Sequence, residues 1–379
     1  MVSFLDSDRI LVIAPHPDDE SLGVGGLLQR AFAAGIQVRI LFGTNGDNNP
    51  WAQRYCERRW AIGVEERRRW GQRRQQEALK AIAVLGGNAD CARFMNFPDQ
   101  RITNLLMKAD TSLWDRLITE IREWQPTLMI IPTVIDSHPD HSALCVLLSR
   151  AAQLSGSPRV FEYLIHKPSV EISRKPIALR LTPDETEIKR QAILCHETQV
   201  TLSGKRFTRF ATTNEFYYPH NPIGVPMKDK PFQAASWRDG ILDLRITTFR
   251  RERLNASLLM AFQLSDGKDH RWWLPLPIVS GMVKVVDTIF DRCIHEARIR
   301  RWRGVLHVEI PFPETPNFEA MFAKLVGWSL FFDRSGWFQI VLSAETSKSR
   351  PARKTEGGQA AGLVLTSSPV TGLLRRKSE

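Results

Sequence analysis

The sequence predicts an α/β fold over residues 1–225, a mainly parallel sheet with helices on both faces. A smaller α+β domain over 232–345 and a disordered basic tail over 346–379 follow. Three observations lead there. Short apolar runs alternate with helix-length segments through the first part, as expected where crossover helices connect parallel strands. Pro222, Gly224, Pro226 and Pro231 mark the stretch Pro222–Pro231 as a linker. Beyond Thr346 the chain is rich in Ser, Gly, Ala, Lys and Arg, with too little apolar surface to order itself.

Taken in order, Arg9–Ala14 is an apolar run of strand length that ends in the polar turn His16–Glu20. Leu22–Ala34 has helical character, and Gly35 stops it. Ile36–Phe42 is the next strand, Glu65–Leu85 a helix closed by Gly86 and Gly87, and Ala92–Phe97 a short strand. Ser112–Trp124 is helical up to Pro126; Thr127–Val134 is a buried strand, followed by a polar turn and a helix over Pro139–Ala152. Val160–Ile165 and Ile177–Leu181 are later strands. Thr182 (N-cap), Pro183 (first turn) and Glu185 (capping-box acid) then open another helix. After the linker, Ile241–Phe249, Ser257–Leu264, Arg271–Leu276 and Val305–Ile310 read as strands, and Met282–Ile299 and Asn317–Val326 as helices.

Lys and Arg number 52 against 41 Asp and Glu, a formal net charge of +11 that favours anionic partners such as phosphates, anionic glycans or a membrane surface. The basic tail makes a peripheral contact with the inner face of a membrane one reading. No nucleic-acid-binding motif accompanies the charge, so nucleic acid is not an expected partner. Five cysteines without a CxxC pair fit neither a disulfide framework nor a cysteine-rich zinc module, which points to a reducing cytoplasm. Met1–Arg9 has no signal-peptide pattern, and no apolar run reaches the ~20 residues that span a bilayer.

The chemistry lies in two polar clusters, His16–Glu20 and Asp136–His141, each directly after an apolar strand. In open parallel sheets, ligands bind beyond the carboxyl ends of the strands. Two distant segments therefore deliver His and Asp to one edge. Zinc hydrolases commonly use three protein ligands and keep one position for water. His16 and Asp19, on one tight turn, and His141, from the second segment, provide such a set. Asp18, beside a ligand, is placed to act as general base. His138 is placed to face the reacting carbonyl as an imidazolium, and Asp140 to hydrogen-bond one of the histidines. The same set would suit a non-haem Fe(II) oxygenase, but the alternating strand–helix pattern argues against it. Gly23, Gly25 and Gly26 lack the dinucleotide-binding spacing and read as close-packing positions. The long segment Thr44–Trp60 lies at the ligand edge and reads as a lid or substrate loop. Asn45, Trp51 and Arg54 within it are candidate sugar-binding residues, and Arg58 and Arg59 could face an anionic group.

The run Ala14-Pro15-His16-Pro17-Asp18-Asp19-Glu20 resembles the A-H-P-D-D-E signature of the LmbE-like (PIG-L) deacetylases, and His138-Pro139-Asp140-His141 resembles their H-P-D-H motif. Arg74 and Glu77, with Leu85-Gly86, are similar to the family's R-x-x-E helix, and Lys189, His196 and Gln199 to a late helix with an H-x-x-Q-like element. The similarity runs from about Arg9 to Tyr218; Pro15 departs from the signature without disturbing the ligand positions. It implies a Rossmann-like sheet and one Zn²⁺, or another divalent ion such as Fe²⁺, on His16, Asp19 and His141. It further implies Asp18 as base, His138 as electrophilic partner and Arg74 in contact with substrate. The implied reaction is removal of an acetyl group from an N-acetylglucosaminyl unit, in glycoconjugate or lipopolysaccharide biosynthesis. A non-catalytic glycan- or membrane-surface-binding protein on the same scaffold is the alternative.

Overall fold

Strand β1 (Arg9–Ala14) is almost wholly buried because partners pair on both of its edges: β2 (Gln37–Thr44) and β4 (Leu128–Pro132), both parallel to it. The computed structural model describes residues 5–108, 110–153, 156, 158–167, 174–221, 231–247, 256–264, 269–313, 318–327 and 336–342. Most of the linker reading (222–230) and all of the tail reading (346–379) lie outside the described residues.

The connections follow the predicted alternation. Helix α1 (Asp19–Ala33) links β1 to β2; α2 (Pro50–Glu57) and α3 (Val64–Val84) lead to β3 (Ala92–Phe97). Helices α4 (Ile102–Met107) and α5 (Ser112–Trp124) precede β4, and α6 (Pro139–Gln153) joins it to β5 (Arg159–Tyr163). β6 (Ile177–Arg180), α7 (Pro183–Leu194), α8 (Glu197–Thr208) and β7 (Asn214–Pro219) complete this part. The strand order is β3-β2-β1-β4-β5-β7-β6: five parallel strands, with β7 antiparallel to both neighbours.

Period-two alternation sends the strand side chains into two cores. Ile10, Val12, Val38, Ile40 and Ile130 pack under α1, α3 and α7, while Leu11, Ile13, Leu41, Met129 and Ile131 pack under α4, α5 and α6. The glycines of α1 set its distance from the sheet and α7: a Cβ on Gly23 would come within 2.4 Å of Tyr163, and one on Gly26 within 2.4 Å of Leu181. The Thr182–Glu185 capping box forms as read, with Pro183 in the first turn of α7.

The C-terminal part differs from its prediction. Its described elements are all strands: β8 (Phe232–Arg238), β9 (Ile241–Thr247), β10 (Ala256–Leu264), β11 (Asp269–Leu276), β12 (Gly281–Asp287), β13 (Arg292–Trp302), β14 (Val305–Pro311), β15 (Phe318–Val326) and β16 (Phe338–Ile340). They form a nine-stranded antiparallel sheet, so the α+β expectation is corrected. The segment read as a helix over Met282–Ile299 is the β12–β13 hairpin. Read as one segment, it conceals a turn in which Asp291 takes a left-handed φ of 48°, and its burial alternates: Ala297 and Ile299 are buried and their neighbours exposed. Asn317–Val326, also read as a helix, is β15, paired along its length with β10. The outermost strands meet through Phe232 and Phe338, ring centroids 5.4 Å apart, so the sheet curls around one apolar core. Leu259, Ala261, Phe322 and Trp337 project the other way and join the core under α4–α6. No helix among the described residues is long and apolar enough to cross a membrane.

Candidate metal centre and active site

Five parallel strands end at one place, and polar side chains that follow each of them meet there. After β1 the chain turns at once: the N–H groups of Asp18 and Asp19 both donate to the carbonyl of His16. Helix α1 therefore starts at Asp19, three residues before the position read from sequence, and the carboxylate of Asp19 lies at the positive end of the helix. Oδ2 of Asp19 accepts from the backbone N–H of His16 at 2.9 Å and lies 3.2 Å from His16 Nδ1. It is also 3.2 Å from Nε2 of His141, and the two imidazole nitrogens are 3.3 Å apart.

This near-equilateral triangle has the spacing of three atoms bound to one tetrahedral ion, since ligand distances of about 2.0 Å give edges of about 3.3 Å. Both histidines turn their remaining nitrogen to a carboxylate. His16 Nε2 is 3.0 Å from Asp99 Oδ1 and 3.4 Å from Asp140 Oδ2; His141 Nδ1 is 3.1 Å from Asp136 Oδ2. Such partners fix which nitrogen faces the metal and make it more basic. The set His16, His138 and His141 also falls within 4.8 Å. However, Nδ1 of His138 already accepts the N–H of Asp140 at 3.2 Å, so His138 is the poorer ligand. The residues present thus fit a divalent cation: a triangle of two imidazoles and a carboxylate, set among the further carboxylates Asp18, Asp99, Asp136 and Asp140.

The charges reflect that crowding. Burial would lower the affinity of His16 for a proton, but Asp99, Asp140 and Asp19 reverse this and hold it well above its usual range. His141 is likewise taken to about 10 by Asp19 and Asp136 against the effect of burial. Asp18 is pushed up to about 6 by burial, with the charge of Asp19 adding and Arg74 opposing. His138 is held well below its usual range by burial and by the neighbouring imidazoles.

Arg74, expected to touch substrate, is 3% exposed, and its guanidinium is engaged within the protein. Nη1 donates to the Gly46 carbonyl at 2.6 Å, and Nη2 lies 3.0 Å from the Pro17 carbonyl and 3.1 Å from Asp18 Oδ2. Gly46 has φ of 59°, and a Cβ there would stand 1.9 Å from Nη1. Glu77, one turn on, accepts from the N–H and hydroxyl of Thr198 at the start of α8. His196 lies buried with Nε2 3.0 Å from Glu20, and Lys189 pairs with Glu215 at 2.6 Å.

Asn45 accepts from Gln75, and the loop after it reaches the site through Asp47, which accepts the N–H of Asp99, and Asn48, whose N–H donates to Asp99. Trp51 and Arg54 lie further on, in α2. Trp51 is exposed with the Arg54 guanidinium 5.2 Å from its ring centre, and neither has a described contact with the triangle. Asp140 accepts the N–H groups of Gln100 and Ile102, so it caps α4 as well as facing His16.

Three residues at the site were given no role from sequence. Asp99 follows β3. Asp136 accepts from the N–H groups of His138, Ile165 and His166. His166 follows β5, with its ring centroid 5.1 Å from that of His138. The available cue was position, immediately beyond a strand's carboxyl end.

Residues 11–152 match the family profile described as PIG-L, GlcNAc-PI de-N-acetylase. The chain is 26% identical over 220 residues to a diacetylchitobiose deacetylase of Thermococcus kodakarensis, covering 52% of this chain and 72% of that one. It is 28% identical over 267 residues to a 1D-myo-inositol 2-acetamido-2-deoxy-alpha-D-glucopyranoside deacetylase of Rhodococcus jostii, covering 56% and 88%. Among solved structures, an N,N'-diacetylchitobiose deacetylase from Pyrococcus horikoshii aligns with a TM-score of 0.44 at 18% identity, over 57% of this chain and 84% of that one. The matched stretch 11–152, similar to the PIG-L profile, includes His16, Asp18, Asp19, His138 and His141.

Proposed function

We propose that the protein is a metal-dependent hydrolase that removes the acetyl group from an N-acetylglucosaminyl-type amino sugar. The observation that carries this reading is the triangle of His16 Nδ1, Asp19 Oδ2 and His141 Nε2, with edges of 3.2–3.3 Å and Asp18 beside it. The family description and the names of the Thermococcus kodakarensis and Rhodococcus jostii relatives, each concerned with an N-acetylated sugar, support the substrate class. Zinc, or another divalent ion, held by those three atoms would supply Lewis acidity toward water and the amide oxygen.

The chain's own residues do the rest. Asp18 takes a proton from the attacking water; with a pKa raised to about 6 it is ionised at neutral pH yet basic enough to accept one. His138 accepts at Nδ1 from the Asp140 N–H, so its proton sits on Nε2. It therefore serves as a neutral donor to the developing oxyanion, rather than the imidazolium read from sequence. The water oxygen bonds to the carbonyl carbon and the C–N bond breaks. The sugar nitrogen leaves with the proton Asp18 took, giving acetate and a free amine. Arg74 acts through Asp18, as a positioning residue. Asn45 is assigned to the inner rim of the substrate cleft and the Trp51–Arg54 pair to its outer rim, where an aromatic face suits a sugar ring.

Asp18→Asn tests the reading. It should bind metal like the wild type and lose roughly 10²–10⁴-fold in turnover, the usual share of a general base. Wild-type turnover in that variant would rule out the assigned mechanism.

A further inference from the structure

One cavity lies away from the metal triangle. It encloses about 820 Å³ between helices α4–α6 and the C-terminal sheet, and none of the residues assigned above to metal or catalysis lines it. Helix α6 carries His141 near its start and Arg150, a lining residue, nine positions on, so the two places are about 13 Å apart along the helix. The walls are tied together. Arg271 Nε donates to the Leu106 carbonyl at 3.2 Å, the Thr288 hydroxyl donates to the Met107 carbonyl, and Arg150 pairs with Asp269. The cavity is therefore pre-formed, and its volume is that of small-molecule sites.

Its lining is mostly apolar and aromatic: Leu106, Trp114, Leu147, Trp272, Phe290 and Phe312. Trp272 is 1% exposed, and its ring stands edge-on to Phe262, centroids 4.7 Å apart, so it forms a fixed part of the apolar wall. The acidic lining residues are engaged. Asp269 pairs with Arg150, Asp287 accepts the N–H groups of Ile289 and Phe290, and Asp110 accepts that of Ser112. Two lining cations, Lys108 and Arg292, have no ion-pair partner among the described residues, and the Arg292 guanidinium stands 5.0 Å from the centre of the Phe290 ring at the rim.

We propose that this cavity is a second binding site, separate from the metal centre, for an amphiphile with an apolar body and one anionic head group. The apolar body fills the space between Trp114, Leu147 and Trp272, and the head group meets Arg292 and Lys108. This assignment does not depend on the reaction proposed above.

Calorimetric titration of the full chain with dodecanoate and with dodecyl phosphate, each below its micelle concentration, tests it; octyl glucoside is the neutral control. One saturable site per chain is expected for at least one anion, with binding at least fivefold tighter than for octyl glucoside. Whichever anion binds more tightly names the head group as carboxylate or phosphate. Arg292→Ala should remove the preference for the anion, and Leu147→Trp should weaken all binding at least tenfold by filling the space. Leu147 is buried and its variant can fail to fold, so the exposed Arg292→Ala carries the test on its own. No saturable binding of either anion, or anion binding unchanged in Arg292→Ala, would overturn the proposal.

Discussion

Replacing Arg74 with Met should move the pH dependence of hydrolysis rather than merely lower it. Asp18 is buried, and burial pushes its pKa up to about 6 even with the Arg74 guanidinium 3.1 Å away opposing the shift. A guanidinium this close typically lowers a neighbouring aspartate's pKa by about 1–3 units, so its loss should return that amount. A base with a raised pKa is protonated over a wider acidic range. The acidic limb of kcat/KM should therefore move to higher pH by roughly 1–3 units, with activity recovering on the alkaline side. Arg74→Lys keeps the charge but loses the fork that also holds the Pro17 and Gly46 carbonyls, and should bring the limb partly back. Gly46→Ala, whose Cβ would stand 1.9 Å from Nη1, should displace the guanidinium and shift the limb in the same direction. The assay is acetate release from pH 5 to 9, with a thermal melt of each variant as a folding control. Equal loss at every pH would refute the coupling and leave Arg74 as a structural residue only.

Asp136→Asn removes the carboxylate behind His141 and should weaken metal binding about 10–100-fold in a chelator competition, with unchanged affinity as the contrary result. Glu162 is buried and burial would raise its pKa, yet its bonds to His220 and Arg174 hold it to about 2. Its contribution, roughly 3 kcal/mol, should be complete above the usual glutamate range and lost as pH falls toward 2. In urea unfolding, the gap between wild type and Glu162→Gln should therefore shrink between pH 4.5 and 2, and a constant gap would contradict this. Gly23→Ala would bring a methyl to 2.4 Å from Tyr163 and should lower unfolding free energy by about 1–3 kcal/mol; an unchanged melt would show that α1 can shift outward.

Much of this site was legible because its chemistry sits in short contiguous segments after buried strands. β1 and β4 stand out as apolar runs, and the His and Asp residues beyond them needed only the rule that such ends share one edge. Asp99 and His166 escaped because each is a single residue after its strand, with no spacing to mark it; only the pairing of β2 with β3 and of β4 with β5 brings them in. Arg74 belongs to a legible motif, but its bond to Asp18 depends on how closely α3 approaches Gly46, which no spacing in the sequence marks. Helix α2 was signalled by Asn49, which caps Ala52, followed by Pro50 in the first turn, but the segment was read as loop. The hairpin over Met282–Ile299 was misread because apolar residues spaced over both arms imitate a helical period once the turn is overlooked, and strand pairing decided the outcome.

The most direct test of the central claim is acetate release from N-acetylglucosaminyl compounds, free, nucleotide-linked and lipid-linked, by protein stripped of metal and then reloaded with Zn²⁺. The expected result is no release from the stripped protein and restored release on reloading, with one linkage class preferred. Release that persists without metal, or none from any compound by protein shown to hold zinc at His16, Asp19 and His141, would contradict it.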